Sequence, residues 1–249
     1  MMQAAMTKIK QSLPMPACYY GVWRRSLLEN AQGKDAESLV LWMQTRELHA
    51  DIRIPAARPD FSAYTCLEEC ALDDLYWLAT QQGFYGATHV EEDICQWHRQ
   101  HDFQPKNGNR DIGKVAFTSA DEMLETGIDE NYLEIWHKVE GSHLNLHTQT
   151  MRGVNRYGES TPAYILHAGE QVAYVRPRSK AVPEAKSLIA AIDLYQPNIE
   201  TLLDWLDFEI SFGQIIDDSH WQIRHSTLPF LEGKIRVLEG NIRDKGFYV

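Results

Sequence analysis

The sequence lacks an excess of basic residues and lacks long apolar runs. Lys and Arg number 24 against 35 Asp and Glu, which gives a formal net charge of -11. Binding to nucleic-acid phosphates draws on clustered Lys and Arg, and no such cluster occurs, so we expect no nucleic-acid partner. No apolar run approaches the roughly 18 residues that cross a bilayer, so we expect no membrane association.

Cysteines are few, and signs of export are missing. The opening segment MMQAAMTKIKQSLPMPACYY contains no apolar stretch of signal-peptide length. Cys18, Cys66, Cys70 and Cys95 show no repeated spacing, which is typical of reduced thiols rather than a disulfide framework or a structural zinc site. The sequence therefore predicts a cytoplasmic protein with no metal and no other cofactor.

What the sequence does contain is an internal repeat. The stretch CQWHRQHDFQP at 95 to 105 has the outline of SHWQIRHSTLP at 219 to 229, and one separation of 124 positions aligns Trp97 with Trp221 and His101 with His225. Upstream, YGVWRR at 20 to 25 is similar to LEIWHK at 133 to 138. In 249 residues there is room for two domains of ordinary size. We interpret the chain as an internal duplication.

Alternating apolar and polar residues predict a mostly β protein. SLVLWMQT at 38 to 45 and HADIRIP at 49 to 55 form a predicted hairpin, and PAYILHAG with QVAYVRP form its counterpart at 162 to 177. Helical stretches follow at 67 to 83 and at 183 to 206, the second broken at Pro197. LETGIDENY resembles a junction near 126 to 132. We therefore expect two units, 1–128 and 129–249.

The stretch Gly21-Val22-Trp23-Arg24 resembles the Gly-x-Trp signature that opens the first strand of lipocalins and related calycin barrels. In those barrels the Trp closes one end. Together with the duplication, the chain resembles the tandem calycin-like barrels of a fungal casein-kinase-interacting protein family and its bacterial relatives. The resemblance implies two tandem antiparallel calycin-like β-barrels, each with an inserted helix, and it transfers no catalytic residue. Because the second copy reads Glu134-Ile135-Trp136 without the Gly, we expect a degenerate, supporting second barrel.

Polar side chains of the first unit share one face of their strands, since residues two apart lie on the same side. A barrel interior that holds a ligand can be polar and aromatic. We predict that one cavity is surrounded by seven residues: Trp42, Gln44, Asp51, Arg53, Trp97, Arg99 and His101. The corresponding second-half segments are less polar, which places the candidate site in the first unit. The alternative is that these residues form a solvated strand face.

The function predicted from this set is binding of a small, partly apolar ligand. Trp42 and Trp97 would supply contact surface, and Arg53 or Arg99 would meet an anionic group. One alternative is a cofactor-independent isomerase, cyclase or lyase with Asp51 or His101 as the catalytic base.

A second alternative is an interaction scaffold with a protein partner or a homodimer. A metal held by His49 with His101, and haem held by His101 or His225, are less favoured hypotheses.

Overall fold

A computed structural model describes residues 15–238, so most of the opening segment used above lies outside the described residues. The elements in chain order are β1 Gly21–Asn30, β2 Gly33–Asp35, β3 Leu39–Gln44, β4 Leu48–Ile54, α1 Leu72–Leu78, β5 Gln82–Glu91, β6 Ile94–Asp102, β7 Asp111–Phe117, β8 Glu122–Gly127, β9 Tyr132–Lys138, β10 His147–Val154, β11 Ser160–Ala168, β12 Gln171–Arg176, α2 Leu188–Tyr195, α3 Ile199–Leu206, β13 Glu209–Ile215, β14 His220–Ser226 and β15 Ile235–Val237.

The strands form one closed barrel and one half-barrel. In the first barrel, β1 and β3 to β9 pair in sequence, all antiparallel, and β9 pairs back onto β1, while the short β2 only extends β1. Closure of eight antiparallel strands in this order is the architecture of lipocalin-like barrels. Strands β10 to β15 pair in order as a six-stranded sheet that curls into the half-barrel. The mostly β, tandem, calycin-like prediction is confirmed, with an incomplete second copy.

The same irregularity occurs in both copies and supports the duplication. In the β5–β6 hairpin the register shifts between Tyr85 and Gly86, and in the β13–β14 hairpin it shifts between Phe212 and Gly213. At both glycines an added Cβ would collide with a carbonyl oxygen of the partner strand, that of His98 or of Gln222. His98 and Gln222 are separated by the same 124 positions that align the two Trp segments.

The boundary between the two units lies further along the chain than the sequence predicted. Strand β9 pairs with β8 and with β1, so the stretch at 126 to 132 is a hairpin turn inside the first barrel. Glycine and acidic residues are as typical of such a turn as of a linker. Trp136 consequently lies within the first barrel and does not open the second unit. The change of sheet falls between Lys138 and His147.

The helices follow the sequence pattern in part. As predicted, the second helical stretch is broken at Pro197, and the two pieces begin at side-chain caps from Ser187 and Asn198. Helix α1 is shorter than the predicted stretch at 67 to 83, because Leu67–Glu69 forms a separate 3-10 turn and β5 begins at Gln82. No helix within residues 15–238 is long and apolar enough to span a membrane.

The two units pack back to back through their apolar outer faces. Ala50, Ile52 and Ile54 of β4 share one buried cluster with Val175 of β12 and Ile210 of β13, and the three helices contribute to the same cluster. Since this face of β4 is buried against the half-barrel, the alternate residues of the strand point into the first barrel. This packing therefore determines which face of β4 lines the interior of the first barrel.

Candidate functional site

One end of the first barrel is filled by aromatic side chains. Trp23, Trp42, Trp97 and Trp136 are each no more than 5 % exposed, and Trp42 meets Trp97 and Trp136 edge-on, with ring centroids 5.9 and 6.5 Å apart. The indole nitrogen of Trp23 donates to the carbonyl of Tyr19 at 2.8 Å. The Trp of the Gly-x-Trp stretch thus lies in the filled end of the barrel, as the resemblance implied.

The other end of the barrel opens into a cleft of about 1620 Å³. Interior-facing side chains of the strands form its inner wall, among them Arg53, Trp97, Arg99, Glu125 and Tyr132. Its outer wall comes from residues 104 to 112, from the β8–β9 turn and from residues 177 to 184 of the second unit. The cleft therefore lies at the barrel mouth, where the two units meet.

Both arginines predicted to bind an anion are already paired with carboxylates. Arg53 donates from Nε to Asp51 Oδ1 at 2.9 Å. Arg99 binds Asp111 at 2.7 Å and Asp102 at 3.0 Å. Asp51 is 1 % exposed, and burial raises the pKa of its carboxyl despite the attraction of Arg53. The hypothesis of a solvated strand face is wrong for Asp51.

Further carboxyl groups line the inner wall of the cleft, and one of them has no basic partner among the residues that the structure describes. Glu134 binds Arg25 at 2.8 Å, and Arg25 also binds Asp35 at 2.6 Å. Glu125 is 5 % exposed and accepts one hydrogen bond, from the hydroxyl of Tyr132 at 2.7 Å. Burial, followed by the charge of Glu134, raises the pKa of Glu125 well above its usual range. A buried carboxyl in this setting holds its proton more strongly than one in water.

Gln44 lies deep in the barrel and takes part in a hydrogen-bond chain that ends at His49, whose Nε2 has no partner among the described residues. Thr88 donates its hydroxyl proton to Gln44 Oε1 at 2.6 Å, so His49 Nδ1, 2.8 Å from the same hydroxyl, must be the donor in that second bond. Burial lowers the pKa of His49 to about 3, and its ring is neutral. Gln44 and His49 do not border the cleft.

Six of the predicted residues form two inward-facing groups in the structure, and the seventh, His101, lies elsewhere. Arg53, Trp97 and Arg99 point inward and border the cleft. Trp42, Gln44 and Asp51 also point inward but lie below it, each at most 2 % exposed. Six of the seven therefore share the barrel interior, and their role in binding a ligand stays a prediction.

His101 lies on the opposite face of the sheet, contrary to the prediction. Tyr85 pairs with His101 and Gly86 with Arg99, which leaves Gln100 as the extra residue of a bulge and reverses the alternation beyond it. The His101 ring stacks on Tyr85, and its Nε2 lies 3.1 Å from the hydroxyl of Tyr164 in the second unit. His101 still borders the cleft, but from the face of the sheet opposite to that of Asp51.

Sequence reasoning missed the residues that complete the mouth of the barrel. Glu125 and Glu134 fell in or beside the segment interpreted as a junction. The alternation of EMLETG and YLEIWHK was the available signal, because it places Glu125 with Met123 and Glu134 with Trp136, whose apolar side chains are buried in the barrel. No group of three or more His, Cys, Asp or Glu side chains that could hold a metal ion occurs within the described part of the chain.

The chain was compared with protein-family models, curated proteins and solved structures. No protein-family model and no curated protein matches the chain. Among solved structures, the chain is similar to a lipocalin-like protein from Bacteroides uniformis ATCC 8492, with 12% sequence identity and a TM-score of 0.33, over 49% of this chain and 99% of that chain. The resemblance to the fungal tandem-barrel family is not confirmed by these comparisons. The lipocalin-like assignment of the first unit rests on its closed, sequential, eight-stranded barrel.

Proposed function

We propose that the protein binds a small, partly apolar molecule in the cleft at the mouth of the first barrel. The supporting observation is the asymmetry of the barrel, which aromatic side chains fill at one end and which opens into about 1620 Å³ at the other. Ligand pockets commonly measure roughly 300 to 1,000 Å³. The cleft therefore has room for a small molecule together with bound water.

The lining of the cleft suits an amphipathic ligand. Apolar surface comes from Leu28, Trp97 and Tyr132 of the barrel and from Phe208 of the second unit. Arg53, Arg99 and Glu134 on the same inner wall are fixed by ion pairs, so their positions are preorganised before a ligand arrives. An apolar body would pack on the aromatic rings, and a polar end would be oriented by the fixed charges.

The two alternatives receive less support from the geometry. A scaffold that works through its outer surface would be favoured by a barrel filled from end to end, whereas this barrel is open at one end. For the acid–base enzyme, one candidate base, Asp51, is buried and paired with Arg53, and the other, His101, lies on the outer face of the barrel sheet beside Tyr164. Ligand binding is accordingly the function that the geometry supports best.

The proposal is tested by filling the cleft from its rim. Gln82 is exposed, begins strand β5 and borders the cleft, while Glu91 is exposed at the other end of the same strand and does not border it. We expect the neutral fluorescent probe N-phenylnaphthylamine to bind the wild-type protein saturably. Gln82→Trp should abolish most of this binding because the indole occupies the cleft, and Glu91→Trp should leave it unchanged.

Two results would contradict the proposal. One is an absence of saturable probe binding to the folded wild-type protein. The other is equal binding by the two tryptophan variants, which would place the probe elsewhere on the surface. Native mass spectrometry of the purified protein, with Gln82→Trp as the control, would then search for a co-purifying natural ligand.

A further inference from the structure

We propose that the ligand carries a positive charge, as an ammonium or guanidinium group, and that this group binds Glu125 on the inner wall of the cleft. The inference rests on the proposed function, since it names the class of molecule that the same cleft takes. It reverses the charge that the sequence suggested. The charged groups in the mouth of the barrel differ in whether they are already paired.

The two arginines of the inner wall are paired with carboxylates, Arg53 with Asp51 and Arg99 with both Asp111 and Asp102. All three guanidinium nitrogens of Arg99 donate to these carboxylates, so an anionic ligand there would have to displace one of them. Arg53 donates to Asp51 from Nε, and an anion at its other two nitrogens would lie beside the Asp51 carboxylate. Removing one member of a buried ion pair is strongly unfavourable. These two arginines are therefore poor anion receptors.

The outer wall carries further basic side chains. Lys106 and Arg178 belong to loops of that wall. The guanidinium of Arg178 already donates to the backbone carbonyls of Asp102 and Phe103, at 3.3 and 2.6 Å. The guanidinium group of Arg178 also lies over the rings of Phe103 and Phe208.

Glu125 differs from the other carboxyl groups because one of its oxygens is available. Its Oε1 accepts from Tyr132 at 2.7 Å, whereas no described residue donates to Oε2. Glu125 is 95 % buried, yet Oε2 is not among the atoms sealed from solvent, and the residue borders the cleft. The unpartnered oxygen of a nearly buried carboxyl thus faces the space that a ligand would enter. A carboxylate oxygen accepts charge-assisted hydrogen bonds from ammonium and guanidinium groups.

The groups around Glu125 make its position electronegative. The carboxylates of Glu134 on β9 and Asp111 on β7 raise its pKa, and the thiol of Cys95 lies nearby on β6. The hydroxyl of Tyr132 and the charge of Arg53 on β4 act in the opposite direction. A site of negative potential attracts either a proton or a cation.

Proton and ligand therefore compete for one carboxyl. Without ligand, burial and Glu134 raise the pKa of Glu125, which favours the protonated carboxyl. When a protonated amine binds, the Glu125 proton leaves to solvent and an ion pair between ammonium and carboxylate takes its place. Charge in the cleft is unchanged by the exchange, since one positive charge replaces another.

The test compares three probes that share a naphthyl ring and differ in charge: naphthylmethylamine as a cation, naphthylmethanol as a neutral molecule and naphthoate as an anion. Isothermal titration calorimetry on the wild-type protein should show the amine binding roughly tenfold or more tightly than the other two. Titration in buffers of different ionisation enthalpy should show proton release on amine binding. Neither measurement requires a variant.

Matched variants assign the effect to Glu125. Glu125→Gln should weaken amine binding roughly tenfold and abolish proton release, with little effect on the alcohol. Glu91→Gln removes an exposed carboxylate at the end of β5 that does not border the cleft and should change amine binding less than about twofold, because exposed charges are screened. Thermal unfolding confirms that both variants are folded.

The outcomes separate this inference from the proposed function. Binding of naphthoate or naphthylmethanol as tight as that of the amine would overturn the inference and leave ligand binding in place. Amine binding that survives Glu125→Gln with its proton release intact would overturn it as well. If none of the three probes binds the cleft, the proposed function fails, and the inference fails with it.

Discussion

Glu125 makes the stability of the protein depend on pH in a direction opposite to that of most carboxyl groups. Its pKa is raised in the folded state by burial and by Glu134, so the folded protein binds a proton that the unfolded chain releases. Stability from this group is fully present below the unfolded pKa and is lost as pH rises through the folded pKa. Glu125→Gln, which is neutral at every pH, should therefore be more stable than wild type at alkaline pH.

The difference is measured by chemical unfolding of both proteins across a pH series. The free energy of unfolding of Glu125→Gln relative to wild type should increase with pH, by at most about 1.4 kcal/mol per pH unit in the titrating range. Glu130→Gln, which removes an exposed carboxylate, serves as the control for the loss of one acidic charge. A constant difference between Glu125→Gln and wild type at all pH values would contradict a proton held by Glu125.

Asp51 is the residue for which the structure changes the expected effect of substitution most. Because its carboxyl is 1 % exposed and binds Arg53 at 2.9 Å, Asp51→Asn should lower the free energy of unfolding by about 1 to 3 kcal/mol. Asp93→Asn is the control, since Asp93 and its partner Lys114 are exposed, and should stay within about 0.5 kcal/mol. Equal effects of both substitutions in urea unfolding would show that the Asp51 pair is not buried in solution.

Residue positions were predictable only where the strands are regular. Alternation correctly placed Asp51 and Arg53 opposite Ile52 in β4, because that strand has no irregularity. It failed for His101, because the bulge at Gln100 adds one residue and the sequence around it carries no separate signal. The ion pairs of the mouth could not be predicted either, since they join strands that are distant in sequence.

At the scale of elements, the paired bulges lead to a prediction about two glycines. A Cβ at Gly86 or Gly213 would collide with backbone of the partner strand, which cannot move without breaking the hairpin. Gly86→Ala and Gly213→Ala should each lower the free energy of unfolding by roughly 2 to 4 kcal/mol. At Gly153 the nearest atom is the hydroxyl of the Tyr174 side chain, so Gly153→Ala is the control with a smaller loss.

Chemical unfolding of the three glycine variants distinguishes steric from conformational effects. None of these glycines has the positive φ that restricts other residues, so the expected cost arises from the close approach of two strands. A loss for Gly86→Ala no larger than that for Gly153→Ala would mean that the bulge rearranges freely. The sequence predicted the hairpins themselves, because alternation and turn residues are local. It did not predict that β9 closes the first barrel, because closure joins strands more than a hundred residues apart.

For the whole molecule, the corrected boundary predicts how fragments fold. A chain ending at residue 146 keeps β9 and a closed barrel, whereas a chain ending at 128 removes β9 and leaves β1 and β8 with unpaired edges. The longer fragment should unfold cooperatively, although less stably than the full chain, because the apolar outer face of β4 loses its cover. The shorter fragment should lack cooperative unfolding.

Near-ultraviolet circular dichroism on heating measures this difference, because Trp23 and Trp42 lie in the closed end of the barrel. Equal cooperativity of the two fragments would contradict the role of β9. The duplication was visible in the sequence through residues such as Trp97 and Trp221. The limits of each copy were not, since a turn and a linker have the same composition.

The back-to-back packing has an evolutionary consequence for the two copies. After a duplication, the half-barrel that covers the apolar outside of its twin is constrained on its outer face, while its inner face is released from selection. Loss of strands is then tolerated in the covering copy, which within the described residues has six strands where the first barrel closes with eight. The first copy in turn depends on its cover and can no longer be inherited alone. Descendants of such a pair should vary most inside the half-barrel and least where the two outer faces meet.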